Sequence, residues 1–266
     1  MMPAEERTIT VRGRTVHYFQ GGRGRPVVYL HGSDGQRGWS PFLARLAERY
    51  TVYAPSHPGV AGSTGLDGID TMLDLAFHSF DVLEAWGLER PALVGLSLGG
   101  WLAAEMAAIC AHALSHLVLI DAAGLWLPAQ PIANIFGLSP RRARALVFDD
   151  PDSAVAHAYF PSRPPPEEVA ERLRALAVAA KLGWSPYMHD PKLASRLHRI
   201  RVPTLVVWGA SDRLIPPAYG EAYRRGIPGA ALVVLDGVGH IPTVEQPERC
   251  AALIGDFLAR PSDERP

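Results

Sequence analysis

The sequence predicts an α/β protein, a mostly parallel eight-stranded sheet with helices on both faces and one helical insertion. Three observations carry that prediction. Short runs rich in β-branched residues alternate with stretches of helical apolar spacing, the order that builds a parallel sheet covered by helices. Several runs, such as "PVVYL" and "TLVVW", are apolar throughout, as strands buried on both faces are. The alternation then lapses after Gly124 and resumes near residue 199, which marks an insertion into a single core rather than a second sheet.

The elements follow in order. "TITVRG" and "RTVHYFQGG" read as an antiparallel pair, and "RPVVYLHG" as a central strand. Ser40 and Pro41 supply an N-cap and a first helical residue for "PFLARLAERY", after which "TVYAPS" is a strand. From Ile69 to Leu88, Met72, Leu75, Ala76, Val82, Leu83 and Trp86 recur at helical spacing until Gly87 stops the run. "PALVGLS", "GGWLAAEMAAICA" and "LSHLVLIDAAG" are strand, helix and strand. Residues 125–198 hold helical patches and proline clusters without a convincing strand. A structureless loop of that length is implausible in a compact domain, so the stretch reads as a helical lid over the sheet's C-terminal edge. "PTLVVWGAS", a helix from about Pro217, "AALVVLDG" and a helix carrying Cys250, Leu253, Ile254, Phe257 and Leu258 on one face complete the core. The core is thus residues 1–124 and 199–266, the lid 125–198.

Bulk composition narrows the function. A chain of 266 residues can bury one large core. With 26 Lys and Arg against 27 Asp and Glu, no global field draws it toward nucleic acid or anionic lipid, so a small molecule is the expected partner. No export signal opens the sequence and no apolar run approaches a membrane span, which points to a cytoplasmic protein. Cys110 and Cys250 lie in helically spaced segments and are expected to be reduced. Oligomeric state is left open, a homo-oligomer included.

Chemistry is concentrated in "VGLSLGGW". Gly95-Leu96-Ser97-Leu98-Gly99 fits G-x-S-x-G, in which a sharp strand-to-helix turn holds a serine above the sheet. The five residues alone could equally be a Gly-rich turn with Ser97 as N-cap. Their surroundings, a strand before and a helix after, are those the motif requires. Asp212 follows the strand "TLVVWG" and His240 follows "ALVVLDG", so serine, acid and histidine come in one chain order at the edge where open α/β sheets gather ligand chemistry. Asp121, at the end of "LVLID", competes for the acid role.

With "LHG" at 30–32, "HPGVAGS" at 57–63, "WGASDRLIP" at 208–216 and "GVGHIPTVEQP" at 237–247, the whole chain resembles the α/β-hydrolase fold family. The resemblance is to its single-domain type, with a helical cap between the sixth and seventh strands. It implies Ser97 as nucleophile, His240 as base and then acid, and Asp212 as the group orienting the imidazole. It also implies an oxyanion hole from the backbone N–H groups of Leu98 and Ser33. Asp34 stands where many relatives have a small neutral residue, an unfavourable place for a carboxylate unless it is solvated or turned away. His57 reads as structural, and Glu245 and Gln246 as anchors of the histidine loop. Lid aromatics Trp126, Phe136, Tyr159, Phe160, Trp184 and Tyr187 are candidates for lining a substrate pocket, Trp184 first among them.

The leading expectation is a serine hydrolase of small carboxylic esters or lactones, working through an acyl-enzyme. No cofactor or metal is expected, since the histidines lack paired ligand spacing and no nucleotide loop is visible. A serine rather than an aspartate at the elbow argues against epoxide hydrolase and haloalkane dehalogenase chemistry. Carbon–carbon hydrolysis of ring-fission products, or cofactor-free lyase chemistry, is the alternative. That branch typically has an asparagine and a tryptophan where Leu96 and Ile241 stand. A small-molecule receptor that has kept the fold is a third reading.

Overall fold

The first two strands, β1 (Ala4–Val11) and β2 (Arg14–Gly22), pair antiparallel from Ala4 opposite Gly21 to Val11 opposite Arg14. β1 starts at Ala4, four residues before the alternating run at Thr8. Charged residues Glu5 to Arg7 are exposed there, and an edge strand accepts them because backbone pairing, not an apolar face, holds it. The chain continues through β3 (Pro26–Leu30), α1 (Pro41–Leu46), β4 (Thr51–Pro55) and α2 (Met72–Ala85). Ser40 accepts from the Leu43 N–H at the start of α1, and α2 opens on a reciprocal Thr71–Asp74 capping box.

β5 (Ala92–Leu96) runs directly through Ser97 into α3 (Leu98–Ile109), and β6 (Leu117–Ile120) follows. Every residue of α3 from Leu98 to Ala108 is buried, so this helix packs within the protein rather than on its rim, with its one charged residue, Glu105, paired to Arg196. Next come four helices without an intervening strand: α4 (Pro140–Val147), α5 (Ala154–Tyr159), α6 (Pro166–Gly183) and α7 (Leu193–Arg196). β7 (Thr204–Gly209), α8 (Ala218–Gly226), β8 (Ala231–Leu235), α9 (Pro242–Glu245) and α10 (Pro247–Leu258) end the fold. This computed structural model describes residues 3–262.

The eight strands form one sheet in the order β1-β2-β4-β3-β5-β6-β7-β8, parallel from β4 onward. The parallel strands therefore end along one edge. Ser33 and Asp34 follow β3 there, Ser97 follows β5, Asp121 follows β6, Asp212 follows β7 and His240 follows β8. β5, β6 and β7 are buried along their whole length, which fixes the loops after them on a rigid base. Cys110 and Cys250 are both free thiols.

Candidate active site

Ser97 sits at φ 54°, ψ −113° between β5 and α3, a backbone state that a side-chain-bearing residue holds only when its neighbours enforce it. The enforcing contacts are glycine contacts. A Cβ on Gly95 would lie 2.3 Å from the Gly99 carbonyl oxygen, and one on Gly99 would lie 2.1 Å from the Leu30 carbonyl oxygen. The motif's glycines are thus a packing requirement: the helix start presses against the end of β3, and the turn between has no other path. Leu98, the first residue of α3, carries one of the amide N–H groups that a helix leaves without an internal partner.

His240 reaches both neighbours at once. Its Nδ1 lies 2.8 Å from Asp212 Oδ2 and its Nε2 lies 3.0 Å from Ser97 Oγ. A carboxylate only accepts, so Nδ1 carries the hydrogen and Nε2 turns its lone pair to the serine hydroxyl. The other Asp212 oxygen accepts from the N–H groups of Leu214 and Ile215, at 2.8 and 2.9 Å, which locks the carboxylate plane. All three residues are about 4 % exposed.

The histidine loop is tied down by the insertion. The His240 N–H donates to the Val147 carbonyl at 2.6 Å. Glu245 accepts from the Gly239 N–H through one oxygen and from the Asp149 N–H through the other, at 2.7 and 2.8 Å. Burial raises the Glu245 carboxyl above the usual range, and those two N–H groups act against the shift. Gln246 also donates to the Gly237 carbonyl.

His31 and His57 form a neutral pair behind the β3 loop. His57 donates its backbone N–H to His31 Nε2, which must therefore be unprotonated, and His31 Nδ1 donates to the Gly32 carbonyl. His57 Nε2 donates in turn to the His31 carbonyl. Burial pushes His31 well below the ordinary histidine value and His57 down to about 4. The pair braces the loop that carries Ser33.

A cavity of about 260 Å³ opens over Ser97. Gly32, Ser33, Leu96, His240 and Ile241 floor it, and Ile135, Leu138, Ala143, Val147, Phe160 and Leu176 of the insertion cover it, with Leu214 from the loop after β7. Tyr159 and Phe160 are the two predicted aromatics that line it. Trp126, Phe136, Trp184 and Tyr187 do not, and the sequence reading is corrected there. Phe136 packs against both Trp184 and Tyr187, Trp126 stacks on His189, and Trp184 is 63 % exposed. These rings pack within the insertion, and the Tyr187 hydroxyl accepts from the Ile135 N–H and donates to the Ala133 carbonyl, both at 2.9 Å. The lining comes instead from aliphatic residues at helical spacing: Ala143 and Val147 on α4, and Val169, Leu173 and Leu176 on α6.

Asp34 is partly buried and is not turned away from the site. It lines the cavity and accepts a hydrogen bond from the Tyr159 hydroxyl. Burial raises its carboxyl above the ordinary aspartate value, against the lowering effect of Arg37 and then Arg172. A carboxyl raised in the folded state binds its proton more tightly there than in the unfolded chain. Its stability cost is therefore absent well below the unfolded value of 3.8, grows as pH rises through that value to the folded one, and is constant beyond. Asp34→Asn, which still accepts from Tyr159, is expected to raise the melting temperature at neutral pH and to leave it unchanged in strong acid. An equal shift at both pH values would contradict this account.

Asp121, Asp212 and His240 bring potential ligand atoms within 4.8 Å of one another. Both imidazole nitrogens are already engaged, with Asp212 and Ser97, so a cation there would have to dismantle the hydrogen bonds that define the site.

The comparisons with known proteins agree with this architecture. A family model described as "Alpha/beta hydrolase family" matches residues 27–253. Lipase 3 of Moraxella sp. (strain TA144) is 27% identical over 232 residues, covering 84% of this chain and 73% of the relative. A crystal structure of a membrane phospholipase A, described as a bacterial virulence factor, superposes with a TM-score of 0.79 at 26% identity, covering 96% of this chain and 86% of that one. The 2-hydroxy-6-oxo-6-phenylhexa-2,4-dienoate hydrolase of Rhodococcus sp. strain RHA1 gives a TM-score of 0.77 at 19% identity, over 98% and 100% of the two chains. That last likeness shows the fold alone.

Proposed function

The chain belongs to the alpha/beta hydrolase family, and from that premise we propose that it is a serine hydrolase of small, largely apolar carboxylic esters or lactones. The observation that carries the proposal is the continuous hydrogen-bond relay from Asp212 through His240 to Ser97 at the floor of a cavity lined mainly by aliphatic side chains.

Each step uses a group already in position. His240 Nε2 takes the Ser97 hydroxyl proton as Oγ attacks the ester carbonyl, and Asp212 stabilises the imidazolium that forms. The oxyanion is met by the amide N–H groups of Leu98 and Ser33, the first of them at a helix N-terminus whose dipole favours negative charge. His240 then protonates the leaving alkoxide, and water, deprotonated by the same imidazole, releases the acid from the acyl-enzyme. The insertion between β6 and β7 acts as the cap that selects the substrate, since it supplies most of the cavity's aliphatic wall. Names of relatives support ester chemistry, a lipase among them.

Carbon–carbon cleavage has less support. Leu96 and Ile241 put two aliphatic side chains on the cavity wall, at the positions where the ring-fission branch would have an asparagine and a tryptophan.

A series of p-nitrophenyl esters tests the proposal. Burying a methylene contributes about 0.8 kcal/mol, so kcat/KM should climb roughly fourfold per added methylene until the cavity is filled and then fall. An active-site organophosphonate should label Ser97 covalently. A folded sample that resists labelling, or turns over a vinylogous diketone far faster than any ester, would overturn it.

A further inference from the structure

Asp121 follows β6 beneath the relay and takes no part in the proton path described above. Its carboxyl is completely buried. Oδ1 accepts from the Gly209 N–H at 2.9 Å, whereas Oδ2 meets no donor among the described residues. What lies beside it is the Asp212 carboxylate, close enough for the two acids and His240 to bring ligand atoms within 4.8 Å of one another. Two ionised carboxylates so placed would repel each other, and Oδ2 would be a buried acceptor with nothing to accept. One proton on Oδ2 removes both difficulties, because the acid form donates and a carboxylate can accept about four hydrogen bonds in all. Asp212 accepts three from Leu214, Ile215 and His240.

We propose that Asp121 is a positioning residue held in its carboxylic-acid form, donating Oδ2–H to Asp212 and so setting how strongly Asp212 stabilises the His240 imidazolium. The inference rests on the serine-hydrolase reading. Burial first, and the Asp212 charge second, push the Asp121 carboxyl well above the usual range, while the Gly209 N–H acts the other way. Among the described residues, Glu245 of α9 and Cys250 of α10 also face Asp121, and Asp34 of the β3 loop faces His240. Glu245 pushes Asp121 further in the same direction. Burial holds the Cys250 thiol in its neutral form.

The sign of one measurement separates the two protonation states. The acid limb of the kcat/KM profile reports protonation of the base in the free enzyme. If Asp121 is an acid, Asp121→Ala deletes a donor from Asp212, leaves more charge facing the imidazolium, and moves the acid limb up by about one pH unit. Asp121→Asn supplies an amide N–H in place of the O–H and should hold the limb at its wild-type position. If Asp121 were an anion, both variants would delete a negative charge and the limb would move down, overturning the proposal. A purely structural role would lower stability and leave the limb in place, which also overturns it.

Infrared spectroscopy gives a readout independent of turnover and of the Ala variant's folding. At neutral pH the wild-type spectrum minus that of Asp121→Asn should contain the carbonyl stretch of a protonated carboxyl, and a folded pair without that band refutes the acid form. Wild-type protein that neither hydrolyses esters nor labels at Ser97 would instead defeat the hydrolase reading, with the infrared result still deciding Asp121.

Discussion

Ser97→Ala is expected to lower kcat/KM for the best p-nitrophenyl ester by about 10⁴ to 10⁶, and to abolish organophosphonate labelling, while the protein stays folded. The size follows from how the relay works as a unit. Without Oγ, His240 has no proton to take and no covalent intermediate can form, so only substrate binding and the oxyanion donors remain to accelerate attack by water. The fold should survive because the serine side chain has one hydrogen-bond partner, His240 Nε2, which faces the cavity. An alanine at φ 54° is strained no more than a serine there. Stability should therefore shift by less than about 1 kcal/mol, measured by denaturant unfolding. Activity within tenfold of wild type would mean that another group is the nucleophile.

The sheet and the site were legible in the sequence to different degrees. Buried parallel strands are written as near-continuous apolar runs, so β3, β5, β6 and β7 declare themselves, and the loop after each is placed on the sheet's C-terminal edge by chain order alone. Ser97 and Asp212 are legible for that reason, and His240 by its place after the last strand, β8, which is apolar in sequence although partly exposed. β1 was longer than its pattern because backbone pairing with β2, from Ala4 to Val11, needs no alternation on the solvent side. The cavity wall was hidden differently. Large aromatics draw attention, but in the insertion Phe136 packs against Trp184 and Tyr187, and the cavity face goes to small aliphatics such as Ala143 and Val147 on a helix that otherwise reads as basic. Nor does any local pattern report that Asp34 meets Tyr159, since 125 residues separate them. Contacts that depend on how an insertion folds back have no period to read.

Asp212→Asn should cost about 10⁴ in kcat/KM near neutral pH, although the change is nearly isosteric. In the wild type, Asp212 Oδ1 accepts two backbone N–H groups, from Leu214 and Ile215, and Oδ2 accepts from His240 Nδ1. An asparagine has only one oxygen. Turning it to Leu214 and Ile215 satisfies two buried donors, so the amide NH₂ is left facing His240. The imidazole can then keep a hydrogen bond only by moving its hydrogen to Nε2, which points it at Ser97 Oγ where the lone pair is needed. The alternative rotamer keeps the imidazole tautomer but strands the Leu214 and Ile215 N–H groups against an NH₂, at about 1–3 kcal/mol for each buried unsatisfied donor. The first arrangement is the cheaper, so the variant should fold, bind ester with little change in KM, and fail in kcat. A chemical-shift assignment of the His240 ring nitrogens at neutral pH would show the tautomer reversed relative to wild type. If Asp212→Asn retains activity while Asp121→Asn loses it, the orienting acid lies at the end of β6, and both this prediction and the carboxylic-acid role of Asp121 fall together.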